Sequence, residues 1–209
     1  MFLYGASGHG KVIKEILEAL DRPVDGFVDD NPETKVLSGV PVRHSTEDVD
    51  EVIVSIGDNT LRKKVVDDLE CPIAEAAVHP RAVVSTSATV GEGTVVMAGA
   101  IINADARIGR HCIVNTGASV DHECQIGDFV HVAPHATLCG AVTVGEGTLV
   151  DAGAVIISRV KIGKRCVVAA GSVVLRDIPD GCVAYGNPCK VIKLNMGGKG
   201  PTPISYDHG

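Results

Sequence analysis

The side chains best suited to moving a proton fall in one stretch. Asp121-His122-Glu123 places an imidazole between two carboxylates, and His131 and His135 follow His122 at 9 and 13 positions. An imidazole, with an ordinary pKa of about 6.5, is the natural general base at neutral pH. A carboxylate beside it orients the ring and raises its basicity. His122 and Glu123 are therefore the candidate catalytic pair, and Asp121 is left a local hydrogen bond. The same histidines could ligate zinc, but no second carboxylate or thiolate stands at a supporting spacing and no Cys-x-x-Cys pair occurs, so no metal is expected. Cysteine nucleophiles have less support. Cys112, Cys124 and Cys166 fall on small positions of a repeat and read as core filler, while Cys71, Cys139, Cys182 and Cys189 have no histidine or carboxylate pattern around them. His44 and His111 read as surface residues, and His79 as the start of a coil.

A second group could hold a phosphate-linked ligand. Gly5-Ala6-Ser7-Gly8-His9-Gly10 follows a short apolar run and precedes a helical pattern, a geometry that offers free N–H groups to an anion. Asp29 and Asp30 end a second apolar run, where a carboxylate commonly takes a sugar hydroxyl. Gly57-Asp58-Asn59 ends a third. The glycine string is not a full dinucleotide fingerprint, so a nucleotide-linked compound fits better than a dinucleotide; an ordinary tight turn with a solvated Asp pair fits about as well.

The elements that must position these residues are of two kinds. From Val78, every sixth residue through Val174 is Val, Ile or Leu, and the slot four residues later is usually small. Glycines repeat every eighteen: Gly91, Gly109, Gly127, Gly145 and Gly163 in one column, and Gly99, Gly117, Gly153 and Gly171 in another whose missing member is His135. Three six-residue faces make one coil, aliphatics inward, with glycine expected at corners that need positive φ. Such coils stack as parallel strands about 4.8 Å apart. A narrow prism has no room for rings, and Phe129 is the only Phe, Tyr or Trp between 78 and 180. Ahead of the coils, strands at Phe2–Tyr4, Val24–Val28 and Val52–Ile56 alternate with helices at Lys11–Leu20 and about Thr60–Leu69, a small Rossmann-like parallel sheet. The expected organisation is an α/β domain over 1–75, a parallel β-helix over 76–196 and a flexible tail over 197–209.

With 26 acidic against 19 basic side chains the chain carries a net charge of −7, which argues against a nucleic-acid surface. No window approaches the ~18 apolar residues of a membrane span. Met1-Phe2-Leu3-Tyr4-Gly5 opens without a basic leader, so a cytoplasmic setting with free thiols is expected.

The hexapeptide coils resemble the acetyl-CoA-dependent acyltransferases, which implies left-handed coils and a homotrimer. More narrowly, Tyr4-Gly5-Ala6-Ser7-Gly8-His9-Gly10, Phe27-Val28-Asp29-Asp30, Ser55-Ile56-Gly57-Asp58-Asn59 with Arg62-Lys63-Lys64, and His122-Glu123-Cys124 with Ile126-Gly127 and His131 resemble the PglD-type bacterial nucleotide-sugar N-acetyltransferases and the related sialic-acid O-acetyltransferases, over about residues 2–193. The resemblance implies that His122 is the base for a sugar amine attacking the thioester of acetyl-CoA, that Glu123 raises its basicity, and that His131 lies by the acetyl group. It also implies that Ala152 and Ala170 touch the cofactor through their backbones between subunits, and that Gly8, His9, Asp29, Asp30 and Gly57 hold the nucleotide-sugar, with uridine favoured. Gly186-Asn187-Pro188-Cys189-Lys190 resembles the element that ends many such solenoids, with Cys189 in place of Ala. Pro134 and His135-Ala136 depart from the family's Gly-Ala and change the shape expected of the acetyl pocket. A sialic-acid-type O-acetyltransferase, a non-catalytic trimeric scaffold and a zinc-dependent CO₂ hydratase on the same fold are the competing readings; a hydratase has no need of the Gly5–Gly10 domain.

Overall fold

A computed structural model describes residues 1–192, so the expected tail lies outside the described residues. The chain begins with β1 (Phe2–Tyr4), α1 (Gly8–Ala19), β2 (Gly26–Val28), β3 (Val36–Leu37), β4 (Val40–Arg43), β5 (Val52–Val54) and α2 (Asn59–Asp68). These strands form one sheet in the order β3-β4-β2-β1-β5, with β1 parallel to both β2 and β5. The strand order reverses at β1, so the loops after β1, β2 and β5 face a common crevice, where open α/β sheets bind ligands. Two strands go beyond the three expected. β4 runs parallel to β2 and β3 folds back on β4; both are short, β3 is the sheet's edge and Val36 is 65% exposed, so neither carries a periodic apolar signal.

Helix α1 buries Gly10, Ile13, Ile16 and Leu17. Gly10 is required by contact: a Cβ there would stand 2.6 Å from the Gly5 carbonyl and 2.8 Å from the Phe27 ring. The residues beneath α1 come partly from the coils, because Leu3, Ile13, Ile16 and Leu17 share a core with Ala77, Val95, Met97 and Ile113. The two parts are therefore joined by buried apolar contact as well as by the chain.

The repeat folds as its period dictates. Seventeen two-residue strands run from Ala77–Val78 to Val173–Val174, and each as far as Val155–Ile156 pairs with the strand eighteen residues on, as Ile101–Ile102 does with Ser119–Val120. They form three faces, the eight-stranded one completed by Val183–Tyr185 and the antiparallel Lys190–Ile192. The inward aliphatics and small residues make one continuous core.

The two glycine columns have different causes. Gly99, Gly117, Gly153 and Gly171 have φ between 64° and 71°, as expected, and His135 fills the column's gap at φ 56°. Gly91, Gly109, Gly127, Gly145 and Gly163 are not in that conformation. They are glycine because the next coil presses on them: a Cβ on Gly127 would stand 2.8 Å from the Glu146 amide nitrogen, and one on Gly145 2.6 Å from the Gly163 carbonyl carbon. Non-glycine residues also take left-handed corners, among them His111, Glu123 and Phe129.

Candidate active site

The α/β domain covers the first three strands of the eight-stranded face, and His131 stands on the next, where that cover meets the loop after β5. Outward residues on this face run Ala77, Val95, Ile113, His131 in register. The first three are buried in the shared core. His131 is the rung at which aliphatic gives way to imidazole. Its Nε2 meets Asn115 Nδ2 at 3.1 Å, and burial, with Arg62 and His9 nearby, lowers its pKa to about 3. The backbone of Gly57 also contacts its ring. His9, at the start of α1, is lowered to about 4 by burial and then by Arg62, and its buried Nε2 has no hydrogen-bond partner. The structure thus brings together His9, Gly57 and His131, two from the α/β domain and one from the coils.

Arg62 fixes this junction, and its role was not anticipated. It is 1% exposed and is the only buried residue of α2. Its guanidinium donates to five acceptors: Nε to His111 O at 2.9 Å, Nη1 to Ile56 O at 2.8 Å and Gly57 O at 3.1 Å, and Nη2 to Asn59 Oδ1 at 2.7 Å and Phe129 O at 3.0 Å. Asn59 Nδ2 adds a bond to Gly147 O at 3.2 Å. His111, expected at the surface, is only 3% exposed: its ring stacks on Phe129 at 5.0 Å and its Nδ1 is left without a partner. It is buried because the α/β domain lands on that corner of the prism, which periodicity alone does not reveal.

The crevice above β1, β2 and β5 is open where a ligand would need it. Cβ atoms built on Gly8 and Gly57 would meet nothing within 4 Å. Ser7 caps α1 without a side-chain hydrogen bond, so the first N–H groups of the helix are not consumed by a cap. Asp29 is partly engaged already: Ala6 N donates to Oδ2 at 2.7 Å and Asn31 N to Oδ1 at 2.9 Å, tying the glycine turn to the end of β2. Asp30 Oδ1 accepts from Tyr4 Oη at 2.7 Å, and burial with that bond raises the Tyr4 phenol to about 12.

His122 and Glu123 lie on a different edge, in the turn between Ser119–Val120 and Gln125–Ile126, and both are exposed. His122 Nδ1 donates to Glu123 Oε2 at 3.3 Å, which leaves Nε2 with the lone pair. The ring lies over Gly140, where a Cβ would come within 2.5 Å of Nε2. Glu123 can reach it because it occupies a left-handed corner at φ 61°. Asp121 accepts from His122 N and Asn103 Nδ2, the local role expected of it. His135 is exposed, with its ring over Gly117. His122 thus lies in the corner between the six- and five-stranded faces, across the prism from the face that bears His131. Ala152 is half-buried and Ala170 exposed; the Ala152 amide is held by Asp151 Oδ1 at 2.7 Å. Among the described residues, no three His, Cys, Asp or Glu side chains converge as a metal-holding group.

The family model of the PglD N-terminal domain matches residues 1–69, and that of the bacterial transferase hexapeptide (six repeats) matches residues 141–176. The curated UDP-N-acetylbacillosamine N-acetyltransferase of Bacillus subtilis (strain 168) is 44% identical over 109 residues, 46% of this chain and 50% of that enzyme, so the match spans about half the relative's length. Several solved structures match nearly end to end. A His-to-Asn variant of perosamine N-acetyltransferase from Caulobacter crescentus, in complex with CoA and GDP-perosamine, is 40% identical with a TM-score of 0.88, covering 92% of this chain and 96% of its own. The acetyltransferase domain of PglB from Neisseria gonorrhoeae, in complex with acetyl coenzyme A, is 34% identical with a TM-score of 0.86, covering 91% and 98%. Fold and comparisons together define a hexapeptide-repeat acyltransferase of the left-handed β-helix type. The chain belongs to the sugar N-acetyltransferases of that class, the family whose coils follow a PglD N-terminal domain.

Proposed function

We propose that the chain transfers the acetyl group of acetyl-CoA to the 4-amino group of a nucleotide-linked amino-deoxy sugar, UDP-linked by preference. The observation that carries this reading is the junction itself: an open crevice bounded by Gly8 and Gly57 ends against the neutral imidazoles of His9 and His131. Gly8, His9, Asp29, Asp30 and Gly57 hold the nucleotide-sugar, with the α1 N-terminus toward its diphosphate. His131 lies beside the thioester, and the backbones of Ala152 and Ala170 carry the rest of acetyl-CoA.

A thioester is already activated, so the protein has three tasks: align the amine, remove its proton and stabilise the oxyanion. His122 takes the proton on Nε2, and Glu123 stabilises the resulting imidazolium through Nδ1. Coil N–H groups face the oxyanion. His122 sits in the corner opposite the eight-stranded face that bears His131, so a site containing both needs two subunits. The reading therefore includes a homotrimer with its active sites between neighbours. Exposed outward aliphatics on the six-stranded face, Val83 at 64% and Ile101 at 40%, support an assembly that covers them. Seven free thiols support a cytoplasmic enzyme.

The test is CoA thiol release from acetyl-CoA with UDP-, GDP- and dTDP-linked 4-amino-4,6-dideoxy sugars, with sialic acid as a control. Release with one amino sugar supports the reading and identifies the nucleotide. Turnover of sialic acid alone would move the acceptor to a hydroxyl, and silence on every acceptor would leave a trimeric scaffold.

A further inference from the structure

We propose that Arg62 is a positioning residue for acetyl transfer, whose five hydrogen bonds set the distance and angle between the nucleotide-sugar crevice and the coil bearing His131. This rests on the functional reading above.

The energetics point away from simple adhesion. A guanidinium buried to 1% exposure with no carboxylate among its five acceptors is an expensive way to join two surfaces. Apolar residues of similar volume usually do that at least as well. Here the adjoining seam already has apolar adhesion through Ile13, Ile16, Val95 and Ile113. What apolar contact lacks is direction. Arg62 has five N–H groups in a rigid planar fork, and the five acceptors use every one. Two belong to the β5–α2 loop (Ile56 O and Gly57 O), one to the first turn of α2 (Asn59 Oδ1), and two to successive coils at one corner, the carbonyls of His111 and Phe129. Phe129 lies two residues before His131 in the same coil. One side chain therefore grips Gly57 on the sugar side and the backbone next to His131 on the acetyl side. A shift of about 1 Å between two reacting groups can cost 10²-fold in rate, so a rigid bracket at this point has a catalytic consequence beyond stability.

The decisive variant is Arg62→Lys, which keeps the charge but has three donors and no fork. Lys64→Ala is the control on the same helix; its salt bridge to Asp68 stays within α2 and lies at the surface. For Arg62→Lys we expect kcat for acetyl transfer to fall about 10- to 100-fold, with the Kd values of CoA and of the nucleotide-sugar each within about threefold of wild type. Lys64→Ala should leave kcat unchanged. Two readouts need no turnover: hydrogen exchange of the 56–59 amides should accelerate at least tenfold in Arg62→Lys, and the imidazole titrations of His9 and His131, followed by NMR, should move. Unchanged exchange and titrations in the folded variant would overturn the proposal, as would a loss confined to nucleotide-sugar Kd. Should Arg62→Lys not fold, Asn59→Ala, which removes one acceptor and spares four, takes its place with an expected 3- to 10-fold loss in kcat. If the wild type acetylates no acceptor, the functional reading fails, while exchange and titration still decide whether Arg62 sets the junction.

Discussion

Acidification should loosen this protein before its carboxylates are protonated, and the cause is local. His9 and His131 have pKa values of about 4 and about 3 in the folded chain, because burial and the Arg62 charge disfavour the imidazolium. In the unfolded chain both return to about 6.5. Between those values the unfolded state binds more protons than the folded one, so stability rises with pH across the window and falls as pH drops below 6.5. At pH 5 the deficit is about 1.5 pH units for each histidine. At 1.36 kcal/mol per unit this is about 2 kcal/mol each, or about 4 kcal/mol for the pair. For a chain of this size that corresponds to a fall in Tm of about 10 °C between pH 7.5 and pH 5. The assay is calorimetry or circular dichroism at fixed protein concentration, comparing wild type with the double variant His9→Gln/His131→Asn. Carboxylates contribute equally to both proteins, so the difference between the two Tm–pH curves isolates the imidazoles. Curves that run parallel from pH 7.5 to pH 5 would refute the reasoning, for they would mean that these rings are protonated in the folded state as readily as in the unfolded one.

The remaining predictions concern single residues. His122→Ala should lower kcat by about 10² or more, the usual contribution of a general base, and a variant with wild-type turnover in the thiol-release assay would place the base elsewhere. Asp29→Ala should act chiefly on the KM for the nucleotide-sugar, since the residue lies at the crevice; steady-state kinetics showing unchanged KM with a collapsed kcat would contradict that role. Gly127→Ala should destabilise the coils by about 1–3 kcal/mol, the usual cost of overpacking, because its Cβ would press on the Glu146 backbone. Urea unfolding measures this, and a midpoint equal to wild type would show that the coils can spread.

What was legible in the sequence and what was not divide along one physical line. A coil repeats the same contacts every eighteen residues, so inward Val, Ile and Leu recur and the register can be read without coordinates. The inward thiols of Cys112, Cys124 and Cys166 followed from the same rule and are buried. The glycine columns were only half legible: a repeated glycine states that a side chain is excluded, and not whether φ or the next coil excludes it. The junction obeys no period. Its bonds join Arg62 to residues 49 and 67 positions away, and Asn59 to one 88 positions away, separations set by how the α/β domain lands on the prism. Two signals were nonetheless present. Arg62 shares a helical face with Val65 and Val66, an odd place for a cation meant for solvent. His131 interrupts the outward column of Ala77, Val95 and Ile113, where the first three coils carry apolar residues. Each is a polar residue in a position that its neighbours mark as buried. Because buried polar groups cost free energy unless they are partnered, such a residue in a repeat protein points to a second surface that supplies the partner. Here that surface is the domain that would carry the sugar.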